Sequence, residues 1–248
     1  MTSSSLDSIS QLHILFIRHG ETQDNIDRLL QGHRDTTLTP KGHYEAQTLA
    51  EKLRNQPIDI IYHSPLTRII QTIAPILVEH PDVPIVADAD LKGQALGLLE
   101  GGSYNSIDMN NPRSADGQPG VELFDDFVRR LKRVFGRIVA AEAARTGIKD
   151  RVVVIATHGV GITSLFKALE SSPGCDGFNP RLAVRGPHAW EVRWPDSDDI
   201  ARLVVARPEN LPVREGVLDW EGIEGKPFTI EEWGKKEKAI VRQELVIH

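Results

Sequence analysis

"LFIRHGETQDN", residues 15–25, runs from apolar, strand-like residues straight into a cation, an imidazole and a glycine: Arg18, His19 and Gly20. A second stretch follows the same plan. "RVVVIATH" (151–158) is a near-continuous apolar run of the kind that fills a central parallel strand, and it too ends in His followed by Gly159. In open α/β sheets, ligands bind at the carboxyl ends of the strands. If the two strands are neighbours, His19 and His158 meet there, and the glycines let backbone approach closely. Arg18 adds a planar donor fork suited to phosphate or carboxylate. Arg68, at the end of "HSPLTR", opens a helix that follows a strand and enters the same crevice. Two imidazoles and two guanidinium groups around one point make an oxyanion cup. Adjacent arginines repel a cation, so no metal is expected there. His13, His33, His43, His63, His80, His188 and His248 lack such a context and read as ordinary core or surface residues.

Outward from these strands, helix and strand patterns alternate. "TPKGHYEAQTLAEKLRNQ" (39–56) reads as a helix capped by Thr39 with Pro40 in its first turn. Ala46, Leu49, Ala50 and Leu53 share one face of it. "IDIIYHS" (58–64) reads as a strand, and "PLTRIIQTIAPILVEH" (65–80) as a helix that Pro75 bends or interrupts. "PIVADADL" (84–91) reads as a further strand, and 101–120 as a loop rich in Gly, Pro, Asn and Ser. The longest helix candidate is 122–145, with Phe124, Phe127, Leu131, Val134, Phe135 and Ile138 as its apolar face. Its arginines read as a solvated face paired to its own aspartates, Asp125–Arg129 and Asp126–Arg130. "GVGITSLFKALE" (159–170) is a helix after the second His-Gly strand. "HAWEVRW" (188–194) and "ARLVVA" (201–206) read as a closing hairpin or edge strands. The alternation implies an α/β three-layer sandwich, with a mainly parallel central sheet and helices on both faces. Residues 1–11 read as a disordered tail, 12–206 as the domain and 207–248 as a polar extension packed on it.

Composition narrows the function classes. The 248 residues carry 29 Lys+Arg and 35 Asp+Glu, a net charge of −6, which gives no general reason to bind nucleic acid or an anionic membrane. A 40% hydrophobic content fits a soluble globular protein. One cysteine, Cys175, excludes an internal disulfide in a monomer and points to a reducing, cytoplasmic compartment. The start, "MTSSSLDSISQ", has neither the positive nor the apolar region of a secretory signal. No apolar run approaches the roughly 20 residues of a membrane span. A homodimer is compatible with all of this.

"IRHGET" with Asn25, "QGHRDTTLTPKGHYEAQTLAEKL" (31–53), "YHSPLTRIIQT" (62–72), "PGVELFDDFVRR" (119–130) and "VIATHG" (154–159) resemble, in order, the motifs of the histidine phosphatase or phosphoglycerate mutase-like superfamily. The resemblance covers roughly 13 to 170. It implies a phosphatase with no cofactor, acting on a small phosphorylated metabolite. His19 would attack phosphorus and form a phosphohistidine that water hydrolyses. Arg18, Arg68 and His158 would hold the equatorial oxygens, and Asn25, Gln31, Gly32 and Gly159 would add contacts to substrate. A mutase is the less favoured relative of this reading. Loops at 95–120 and 173–187 would build the cap over the pocket.

One position departs from the pattern. "LKGQALGLLEG" (91–101) resembles the next family motif, in which a catalytic Glu follows Leu by two positions, and Gly93 occupies that place. Three readings stay open. Another carboxylate substitutes, with Glu100, Asp90 and Glu122 nearest; or the substrate carries a good leaving group; or the cup only binds an anion.

Overall fold

The structure, a computed structural model, describes residues 11–145, 150–170, 200–206, 213–215, 217–218 and 228–232. Its elements in chain order are β1 (Gln11–Arg18), α1 (Gln23–Ile26), α2 (Pro40–Leu53), β2 (Ile60–His63), α3 (Thr67–Glu79), β3 (Ile85–Ala87), α4 (Phe124–Ala143), β4 (Arg151–Thr157), α5 (Gly159–Glu170), β5 (Ile200–Ala206), β6 (Val213–Arg214), β7 (Val217–Leu218) and β8 (Phe228–Glu232). The main sheet has the order β3-β2-β4-β1-β5-β8. β3, β2, β4 and β1 run parallel, while β5 pairs antiparallel with β1 and β8 antiparallel with β5. The expected α/β sandwich with a mainly parallel sheet is therefore the fold.

The apolar runs of β1 and β4 follow from burial on both faces. Leu12, Ile14 and Phe16 of β1, with Val153 and Ile155 of β4, pack against α4 and α5. Leu15, Ile17, Val152, Val154 and Ala156 pack on the opposite face against α2 and α3. Alternation along each strand thus builds two cores, one per helix layer. Thr39 caps α2 by accepting from Gly42 N, with Pro40 at its first position, as the sequence predicts. Among the described residues, no helix is long and apolar enough to cross a membrane.

Several expectations need correction. Of the two outcomes expected at Pro75, a bend or an interruption, the interruption does not occur: α3 runs on through it. Ile69, Thr72, Ile73 and Ile76 bury the helix along one face, and that packing outweighs the bond lost at proline. The strand expected over 84–91 stops at Ala87, because Asp88 caps a 3₁₀ turn over Ala89–Leu91 by accepting from Asp90 N. The segment 201–206 is not an edge. β8, from within 207–248, pairs beyond it. The stretch 188–194 lies outside the described residues. The arginines of α4 are only partly paired to its own aspartates: Arg129 meets Asp126, but Arg133 and Arg137 reach Asp90 and Asp88 and Arg130 reaches Glu122. They tie the helix to the loop at 88–93.

Candidate active site

The register of the central strands assembles the site. Arg18 of β1 lies opposite Thr157 of β4, so the next residues, His19 and His158, emerge side by side at the carboxyl edge. Their ring centroids are 5.5 Å apart, and the two residues are only 7% and 5% exposed. Gly20 is required beneath them, because a Cβ there would fall 2.6 Å from the Gly42 carbonyl oxygen at the start of α2. Arg18 reaches the first residue of α5, just beyond the neighbouring strand: its Nε lies 3.1 Å from the position a Cβ of Gly159 would take.

Hydrogen bonds fix both imidazoles. His19 Nδ1 lies 2.8 Å from the Gly20 carbonyl oxygen. A carbonyl only accepts, so Nδ1 carries the proton and Nε2 holds the lone pair. His158 Nδ1 accepts from Arg68 Nη2 at 3.3 Å, and its Nε2 donates to Ser64 Oγ at 3.0 Å. Burial, followed by the charges of Arg18 and Arg68, pushes the His19 pKa well below its usual value. Burial and then the Arg68 charge do the same to His158, with smaller contributions from His19, His33 and Arg18. Both rings are neutral at neutral pH.

Arg68 anchors the cup. Its residue is 1% exposed, with Nη1 donating to Arg34 O at 2.7 Å and Nη2 to Gly32 O at 2.9 Å. Burial lowers its pKa to about 10, against the charges of Asp35, Asp24 and Glu100, and it remains a cation. Its buried Nε has no hydrogen-bond partner among the described residues. A buried N–H of this kind is able to donate to an anion.

The remaining expected residues surround this centre. Asn25 closes a capping box with Thr22, accepting from its N–H at 3.0 Å and its hydroxyl at 2.9 Å through Oδ1. Gln31 Nε2 donates to Thr22 Oγ1 at 3.0 Å. Gly32 takes φ +51°, which turns its carbonyl onto Arg68. The three candidate acids are all engaged. Glu100 Oε1 accepts from His33 N at 2.7 Å and Leu96 N at 3.1 Å. Glu122 grips Arg130 with both oxygens, at 2.8 and 2.6 Å. Asp90 pairs with Arg133 at 3.3 Å and Arg137 at 3.7 Å. Arg130 in turn donates to the carbonyls of Asp90, Lys92 and Gly93 at 2.7, 3.1 and 3.0 Å, a clamp on the main chain of that loop. Gly93 itself faces the pocket: a Cβ there would lie 3.6 Å from His158 Cγ, an ordinary contact.

Two participants escaped the sequence reading. Ser64, fully buried, orients His158, and "HSPLTR" offered it only as part of a motif. His33, half-buried, places its Nε2 2.9 Å from the Gly93 carbonyl oxygen. Nothing in its sequence neighbourhood signals that reach. The expected cap segment 95–120 is described and mostly irregular, and 173–187 lies outside the described residues.

The neutral histidines give a testable stability signature. Unfolded histidine binds a proton near pH 6.5, whereas the folded rings resist it. Between that value and the lower folded pKa the unfolded state holds more protons, so stability falls as pH drops below about 6.5, by up to roughly 1.4 kcal/mol per pH unit for each ring. Urea unfolding at pH 7 and pH 5.5 should show a smaller loss in His19→Ala than in wild type. Equal losses would place the ring of His19 in water rather than in the cup.

The description "Histidine phosphatase superfamily (branch 1)" belongs to the family model that matches residues 14–184. Broad-specificity phosphatase YOR283W of Saccharomyces cerevisiae is 31% identical over 170 residues, 66% of this chain and 73% of that protein. Phosphoglycerate mutase-like protein 4 of Arabidopsis thaliana is 30% identical over 185 residues, 69% and 78% of the two chains. The solved structure of Bacillus stearothermophilus YhfR superposes with a TM-score of 0.58 at 23% identity, over 84% of this chain and 94% of that one, and so shares the fold.

Proposed function

The chain belongs to branch 1 of the histidine phosphatase superfamily, and from that premise we propose that it hydrolyses small phosphate monoesters through a phosphohistidine on His19. The observation that carries this reading is the His19 ring itself. Its Nδ1 proton is held by the Gly20 carbonyl, its Nε2 lone pair is left as nucleophile, and burial beside Arg18 and Arg68 keeps it neutral. In the first step Nε2 bonds to phosphorus as the bond to the leaving oxygen breaks. In the second, water attacks phosphorus, the N–P electron pair returns to Nε2, and inorganic phosphate leaves. Arg18, Arg68 and His158 stabilise the charge on the equatorial oxygens in both steps. The arginines supply the neutralisation, so the reading requires no metal and no cofactor. A single cysteine and the net charge of −6 suit a cytoplasmic enzyme acting on small molecules.

Rapid quench into alkaline denaturant, which preserves N–P bonds, tests the intermediate. A ³²P-labelled ester should leave label on the peptide holding His19, and none on His19→Ala. Turnover without label on His19 would remove the covalent step, and tight phosphate binding without turnover would make the cup an anion-binding site. Release of inorganic phosphate rather than an isomerised ester separates a hydrolase from a mutase, which matters because the relatives include a broad-specificity phosphatase and a phosphoglycerate mutase-like protein.

A further inference from the structure

We propose, resting on the hydrolytic reading above, that His33 is the general acid of this site and protonates the leaving oxygen. An alkyl ester departs as an alkoxide with a pKa of about 15, and such a group needs a proton in the transition state. Four carboxylates around the pocket are committed as acceptors: Glu100 to two backbone N–H groups, Glu122 to Arg130, Asp90 to Arg133 and Arg137, and Asp35 to the Thr67 N–H and hydroxyl. Glu21 binds Lys41 and Thr39, while Asp24 faces the Arg34 guanidinium at 3.5 Å with its buried Oδ2 accepting no hydrogen bond among the described residues. His19 is the nucleophile, and both ring nitrogens of His158 are bonded to Arg68 and Ser64.

His33 is placed differently. Its backbone is pinned by Glu100, and its Nε2 donates to the carbonyl of Gly93, the residue whose α-carbon faces the His158 ring. Its charge is near enough to bear on His158. Nδ1 has no hydrogen-bond partner among the described residues. As an imidazolium, His33 keeps Nε2–H on Gly93 O and gives the Nδ1 proton to the leaving oxygen, which takes the electron pair of the broken P–O bond. His33 is then neutral. When water attacks the phosphohistidine, its proton goes to Nδ1, and the acid is restored with no other reactant. Glycine at 93 places no side chain beside His158.

The test is a leaving-group series of phosphate esters on wild type, His33→Gln and His33→Gln/Gly93→Glu. Gln keeps an N–H donor for Gly93 O but transfers no proton. His33→Gln should lower kcat/KM for alkyl phosphates about 10²–10⁴-fold. A nitrophenyl phosphate, whose leaving group has a pKa of about 7, should lose less than about tenfold. Glu at 93 should restore at least tenfold on the alkyl esters. The alkyl-to-aryl ratio within one preparation is independent of the folded fraction, so the result holds for a poorly folding variant. An unchanged ratio in His33→Gln overturns the role of His33 while leaving the phosphohistidine reading intact. A wild type that hydrolyses no ester and takes no label on His19 brings down both.

Discussion

His19→Ala protein should hydrolyse phosphate esters about 10⁵–10⁶-fold more slowly than wild type, the scale of loss when a covalent nucleophile is removed. Alanine leaves no lone pair opposite the leaving group, and water must then attack the ester directly. The arginines and His158 would still bind the phosphoryl group, so residual catalysis from the cup persists. The fold should survive. His19 stands at a strand tip, and its removal forfeits one hydrogen bond, worth about 0.5–1.5 kcal/mol. That loss is offset because an imidazole no longer has to be buried among cations. Steady-state kinetics with circular dichroism melting make the check, and a wild-type rate in folded variant would remove His19 from the mechanism.

Arg68→Ala should lower kcat/KM by about 10²–10³-fold, the usual effect of removing one oxyanion donor. Unlike the His19 change it should also cost stability. Arg68 satisfies the carbonyls of Gly32 and Arg34, and each buried acceptor left bare costs about 1–3 kcal/mol. Arg68→Lys should recover only part of both losses. A single ammonium cannot span two carbonyls and His158 Nδ1 as the planar fork does. Vanadate titration and thermal melts separate the two effects. Unchanged vanadate affinity in both variants would take Arg68 out of the phosphate site.

The centre of the fold was legible because burial on both faces writes continuous apolar runs, as in "RVVVIAT". The two His-Gly termini then followed from where parallel strands end. What escaped depends on contacts between distant segments. Arg133 and Arg137 read as helix-surface charges until the 88–90 loop docks against them. Ile85 and Val86 read as part of a further strand, and they lie exposed on β3 at the margin of the sheet. His33 is positioned by contacts between distant segments: Leu30 N donates to Gly102 O and Gly101 N to Leu30 O, and Glu100 accepts from His33 N. No local periodicity encodes that docking.

The Arg130 clamp carries a consequence for substitution at position 93. The guanidinium holds the loop at 90–93 through three carbonyls and is itself held by Glu122, so the path of that loop is specified by main-chain atoms. The side chain at 93 contributes nothing to this anchoring and has room to change. Scaffold and chemistry are therefore uncoupled at this position. A larger side chain at 93 would meet only ordinary contacts with the His158 ring, and the three carbonyls that hold the loop would stay in place.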